Sequence, residues 1–225
     1  LMSVLENLND IHRRIEKASH YAEREPQAVQ LVAVSKVQPE NRVQEALEAG
    51  HRLFGENRVQ EAQQRWAVSG WRGSYEGLTL HLIGPLQTNK VKEAVSLFDV
   101  IETVDREKLA RALAKEMNKQ GRQLPCFIQV NIGDEPQKAG ISMVELHEFY
   151  KFCVDECGLN IVGLMCIPPV DEPPALHFAL LSKLAKELGL KELSMGMSGD
   201  FEQAIPLGAT YVRVGSAIFG ERDYS

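Results

Sequence analysis

The feature that most constrains this chain is an alternation. Strand-length apolar runs are each followed by a helical pattern, and the unit repeats about eight times. The runs fall at residues 31–36, 52–56, 78–83, 100–104, 126–130, 161–167, 192–195 and 210–214. Helical spacing predicts helices over 41–49, 57–66, 88–98, 106–119, 142–156 and 200–207, and a sixth-strand helix that a proline cluster delays and that ends near 188. A further amphipathic helix over 4–25, with Leu5, Leu8, Ile11 and Ile15 on its apolar face, precedes the first strand. Apolar strands that alternate with helices read as a parallel sheet buried on both faces. Eight of them in one uninterrupted stretch predict an α/β fold: a single (β/α)8 TIM barrel over residues 1–225 with an extra N-terminal helix. The competing doubly wound sheet is weakened by the strand count. No G-x-G-x-x-G follows the first strand either.

Composition narrows the function. Apolar residues make up 44% of 225, enough for a large core. Net charge is −6 with no basic block, which argues against a nucleic-acid partner. No apolar run is long enough to span a membrane, and the amino end lacks the cationic and apolar regions of a signal peptide. Cys126, Cys153, Cys157 and Cys166 form no C-x-x-C pair. Cys153 and Cys157 stand one helical turn apart without a matching second pair, so reduced thiols in a cytoplasmic protein are expected and no metal site.

The residues with chemistry lie at strand ends. Leu31-Val32-Ala33-Val34 runs into Ser35 and Lys36, and Pro39 closes the segment. Alternation puts Val32, Val34 and Lys36 on one face and Leu31, Ala33 and Ser35 on the other. Taken alone, Lys36 also describes a lysine reaching water. In a barrel, the carboxyl end of a strand is where chemistry is done, and burial there favours the neutral, nucleophilic amine. After the seventh strand comes Met195-Gly196-Met197-Ser198-Gly199-Asp200, and within and after the eighth comes Arg213-Val214-Gly215-Ser216-Ala217. These two loops are the usual phosphate-binding place of the fold, with Gly215 allowing close backbone approach and Ser198 and Ser216 donating hydroxyls. Each is also an ordinary turn. Alternation sets Tyr211, Arg213 and Gly215 on one face, so Arg213 needs a buried acceptor: a ligand, or a barrel carboxylate such as Glu56. An amine, a phosphate site and an inward arginine together point to one phosphorylated aldehyde, pyridoxal 5′-phosphate (PLP). Lys36 would carry it as a Schiff base and Arg213 would face the ring nitrogen.

Longer motifs carry a resemblance. They are Val32-Ala33-Val34-Ser35-Lys36, Phe54-Gly55-Glu56-Asn57 with Val59-Gln60-Glu61, and the run from His81 to Lys90. Gly163-Leu164-Met165, Leu193 to Ser198 and Val212 to Gly220 complete the set. In these stretches, and over essentially its whole length, the chain resembles the YggS/PROSC family of pyridoxal phosphate homeostasis proteins. The resemblance implies a barrel like the N-terminal domain of alanine racemase and PLP on Lys36. It implies phosphate held by Ser198, Gly215 and Ser216, Arg213 at the pyridine nitrogen and Asn57 near the ring. It further implies a cytosolic monomer without established catalytic activity, whose partners are PLP and, through it, PLP-dependent apoenzymes or a regulatory protein.

The residues bear on catalysis as well. A permanent cation at the ring nitrogen disfavours its protonation and makes the ring a poor electron sink. Racemisation needs an acid or base on each face of the substrate carbon. The chain ends soon after its eighth strand, without the second domain from which alanine racemases supply a tyrosine, and Tyr224 reads as a surface residue. A PLP-binding homeostasis protein with no catalytic residue is therefore expected. The alternative is a small PLP-dependent racemase or lyase with a second base such as His81. Partner docking through the first helix or through exposed Trp66 and Trp71 is the remaining possibility, against ordinary packing.

Overall fold

The computed structural model describes residues 2–222, so Tyr224 lies outside the described residues. Eight parallel strands follow one another around a closed barrel in chain order. They are β1 (Gln30–Val34), β2 (Leu53–Glu56), β3 (Thr79–Leu82), β4 (Val100–Val104), β5 (Cys126–Gln129), β6 (Ile161–Met165), β7 (Glu192–Ser194) and β8 (Tyr211–Val214). β8 pairs back onto β1, with Val32 opposite Arg213 and Ala33 opposite Val214. Alternation sorts the side chains as expected. Leu31, Ala33, Val212 and Val214 join the apolar layer between strands and helices. Val32 turns inward and meets Ile83 around Gly55, where a Cβ would lie 2.8 Å from Val32 Cγ1.

The outer ring comprises α1 (Val4–Tyr21), α2 (Glu40–Glu48), α3 (Val59–Ala62), α4 (Trp71–Ser74), α5 (Val91–Leu97), α6 (Glu107–Gln120), α7 (Leu146–Lys151), α8 (Pro174–Glu187), α9 (Phe201–Ala204) and α10 (Ser216–Phe219). Ser3 and Glu6 form a capping box that starts α1. That helix buries Val4, Leu8, Ile11 and Ile15, and packs on α2, α9 and α10. Leu5, expected on the apolar face, is 52% exposed. Val4 takes its place because the helix phase is set by the other three positions. Asn7 Nδ2 donates to Ile218 O at 2.8 Å, fastening α1 to the segment after β8.

Other differences come from tertiary packing. The helices expected over 57–66 and 142–156 are short α-helices that widen into π-helical turns at Gln63–Val68 and Phe152–Glu156. Trp66 is fully buried, its ring 4.8 Å from that of Phe54 and 5.6 Å from that of the half-buried Trp71. It is a core residue, not a docking residue. The loop expected after the eighth strand is helical, as α10. Among the described residues no helix is long and apolar enough to cross a membrane.

The phase of α1 is testable by chemical denaturation. Ile11→Ala is expected to cost about 2–5 kcal/mol through lost burial and a cavity. Leu5→Ala should stay within about 0.5 kcal/mol.

Candidate functional site

Lys36 stands just past the end of β1, half-buried, in a turn that the α3 segment grips. The next residue, Val37, has φ of 58°, in the left-handed region. A β-branched residue there costs about 1–2 kcal/mol, so neighbouring contacts must hold it. Glu61 Oε1 accepts the Val37 N–H at 2.6 Å. Arg65 donates to Ser35 O at 3.1 Å and to Gln38 O at 2.9 Å, and its Nη2 lies 3.2 Å from Glu61 Oε1. The Ser35 hydroxyl donates to Glu56 Oε1, and Trp66 Nε1 donates to the same oxygen at 3.1 Å. Both residues flanking Lys36 are thus pinned from the outer side of the barrel. Sequence reasoning missed Glu61 and Arg65 in this role, and their one signal is an acid–base pair at i, i+4.

Glu56 belongs to that outer layer and is not the acceptor for Arg213, as the alternative reading of the arginine had it. Its Oε1 lies 3.2 Å from Arg65 Nε, without hydrogen-bond alignment, and its Oε2 has no partner. Burial pushes its carboxyl up to about 7 against the opposing pull of Arg65, Ser35 and Trp66.

Arg213, 3% exposed, turns into the barrel. It donates from Nη1 to Ser194 Oγ at 2.7 Å and from Nη2 to Cys166 O at 2.8 Å. The Ser194 hydroxyl donates to Glu102 Oε1, and Glu102 Oε2 meets His81 Nδ1 at 2.6 Å. Burial raises the Glu102 carboxyl. The hydrogen bond and charge of His81, the charge of Arg213 and the Ser194 hydroxyl outweigh this and hold it below its ordinary value. His81, weighed as a second base, does not face Lys36. It lines a cavity of about 550 Å³ at the amino-terminal mouth with Gln30, Thr79, Glu192 and Tyr211, each at or near the start of a strand.

At the carboxyl-terminal mouth the expected residues fall into two neighbouring groups. Ser198 Oγ accepts the Gly215 N–H at 3.3 Å, so the loops after β7 and β8 meet. Gly215 is tight against β1, where a Cβ would lie 3.2 Å from Val34 O, and Ser216 is exposed at the start of α10. Lys36 and Asn57 line a cavity of about 580 Å³ with Val59, Pro85, Leu86 and Gln87, on the β2–β3 side of the same mouth. The pairing of β1 with both β2 and β8 makes the two groups adjacent. Asn57 is held by close packing, since a Cβ at Gly84 would lie 2.1 Å from Asn57 O. Among the described residues, no three His, Cys, Asp or Glu side chains cluster to hold a metal. The thiols of Cys126, Cys153 and Cys166 are pushed up to about 12, chiefly by burial.

The alanine racemase N-terminal domain family matches residues 7–223. The pyridoxal phosphate homeostasis protein of Vibrio cholerae is 40% identical over 100% of this chain and 99% of its own. That of Escherichia coli K12 is 38% identical, with 99% and 98% covered. The chain belongs to this family. Among solved structures, PipY of Synechococcus elongatus with PLP bound is 36% identical at a TM-score of 0.84, covering 97% of this chain and 100% of that one.

Two measurements test how this family member holds its lysine turn. In Glu61→Gln, the Val37 N–H loses a charged acceptor worth about 1.5–3 kcal/mol, and its hydrogen exchange should quicken by roughly fivefold or more in a folded chain. Glu56 makes stability pH-dependent. Its folded-state value exceeds the ordinary 4.5, so between 4.5 and about 7 the folded chain binds more protons than the unfolded one. Stability should fall as pH rises through that window, and thermal melts of Glu56→Gln should lack that component.

Proposed function

We propose that this chain binds PLP reversibly on Lys36 and serves PLP homeostasis, as a cytosolic monomer that yields the cofactor to apoenzymes instead of turning substrates over. The carrying observation is the carboxyl-terminal mouth itself. Support comes from the pairing of β1, which Lys36 follows, with β8, which Gly215 and Ser216 follow, from the Ser198–Gly215 hydrogen bond and from the burial of Arg213. The donor set fits the group. The Ser198 and Ser216 hydroxyls and the backbone at Gly215–Ser216 suit a phosphate, because the first N–H groups of α10 have no carbonyl four residues back. Gly215 has no Cβ to fill the narrow space against Val34. PLP, when bound, would supply an aldehyde to the Lys36 amine.

The chain's own residues do the rest. The Glu56–Glu61–Arg65 clamp fixes the turn that presents Lys36, so the amine is oriented before any ligand arrives. Arg213 would face the ring nitrogen and, as a permanent cation, would disfavour its protonation. Asn57 would lie near the ring. His81, the second base that the alternative enzyme reading names, opens on the opposite mouth. The PLP-bound relative from Synechococcus supports the cofactor, and the names of the Vibrio and Escherichia relatives support the homeostatic role. The four free cysteines accord with a cytosolic setting.

The visible spectrum of the purified chain, before and after borohydride, is the test. The expected result is a yellow protein bleached to leave the cofactor covalently on Lys36, and a Lys36→Ala variant with no covalent label. A wild type that stays colourless with added PLP would overturn the reading. In deuterated water, no α-hydrogen exchange is expected across a panel of amino acids, and rapid exchange would make the chain an enzyme.

A further inference from the structure

The chain His81–Glu102–Ser194–Arg213 crosses the barrel interior from β3 and β4 to β7 and β8. Its members are 2%, 0%, 0% and 3% exposed, so water does not compete for these bonds. Hydrogen counting fixes its direction. A guanidinium only donates, so Ser194 Oγ accepts from Arg213 and spends its single proton on Glu102 Oε1. Glu102 then has both oxygens satisfied, the second by His81 Nδ1. The carboxylate stands one hydroxyl away from the guanidinium, close enough for opposite charges to compensate strongly in a buried site. Arg213 is anchored twice, to Ser194 and to the Cys166 carbonyl, and both anchors lie on the β6–β7 side.

We propose that Glu102, acting through the Ser194 hydroxyl, is the positioning residue for Arg213, and that it sets how much positive charge the guanidinium presents at the carboxyl-terminal mouth. This rests on the reading of Arg213 as the partner of the cofactor's ring nitrogen. Glu102 touches no ligand. Its negative charge offsets the arginine from behind, so a ring at the mouth meets a compensated cation. A purely structural Glu102 would only neutralise Arg213 for folding, and would leave the bound cofactor's titration untouched once the chain is folded.

Glu102→Gln separates the two. The amide keeps the shape, accepting the Ser194 hydroxyl on its oxygen and donating to His81 Nδ1 in the other imidazole tautomer. The charge alone is lost. In the folded, PLP-loaded variant we expect borohydride still to label Lys36. The pH midpoint of the bound cofactor's visible absorption should move down by about one unit or more, because an uncompensated cation favours the deprotonated form. Glu102→Asp should return the midpoint toward that of the wild type. An unchanged midpoint in folded Glu102→Gln would overturn the proposal.

A second measurement needs no cofactor. Nitrogen-15 NMR of the PLP-free wild type should show an Arg213 guanidinium with hindered rotation and slowly exchanging protons, and Ser194→Ala should release it. Free rotation in the wild type would overturn the anchoring. If the wild type takes up no PLP, the cofactor reading fails, and the NMR of the wild type, Ser194→Ala and Glu102→Gln still decides whether Ser194 and Glu102 hold the arginine.

Discussion

The pairing of β8 with β1 is the constraint on which the rest of this molecule depends. It turns a row of eight strands into a barrel, leaves no sheet edge exposed, and brings the first and last strands together. Lys36 emerges at the end of one partner strand and Gly215 and Ser216 at the end of the other. The closeness is tight enough that Gly215 has no room for a freely placed side chain beside Val34. α1 reinforces the closure from outside by packing on α10. The candidate site is therefore a consequence of closure, and no local segment builds it.

Closure also encloses charge. A barrel interior filled only by aliphatic side chains would be simpler to stabilise, since buried ions lose their hydration. Here the interior holds Arg213, Glu102 and His81 in one connected set, with each Glu102 oxygen satisfied. A second buried group, Glu56 with Arg65, lies on the opposite side of the strand wall and grips the Lys36 turn. The two glutamates are driven apart by their surroundings. Glu102 is surrounded by donors and cations and stays ionised. Glu56 keeps an unpartnered oxygen, and burial raises it to about 7. Separating two carboxylates in this way assigns one a constant charge and leaves the other to titrate.

The legible part of the molecule is what local periodicity encodes. Strand alternation alone puts Val32 on the face opposite Leu31 and Arg213 on the face opposite Val212 and Val214, and the structure agrees. The glycine–serine turns after β7 and β8 are visible because glycine and serine are chosen by backbone chemistry within a few residues. Length and the eightfold repeat lead to the barrel, because parallel strands joined by helices have few other ways to bury both faces.

What only the tertiary structure decided is which distant residues share a site. Glu102 and Ser194 lie on opposite arcs of the barrel, and nothing in their local sequence says that one hydroxyl joins that carboxylate to Arg213. Glu56 reads in the sequence as a barrel carboxylate for Arg213, and the structure turns it outward against Arg65. Trp66 reads as a packing residue with docking as a remaining possibility, and the structure buries it against Phe54. Sequence by itself determined the order of strands and helices, which residues share a face and the turn chemistry, since these follow from periods of two and 3.6 residues and from φ/ψ preference. Partner choice among buried polar groups came from closure, because hydrogen bonds over such separations exist only once the sheet has met itself.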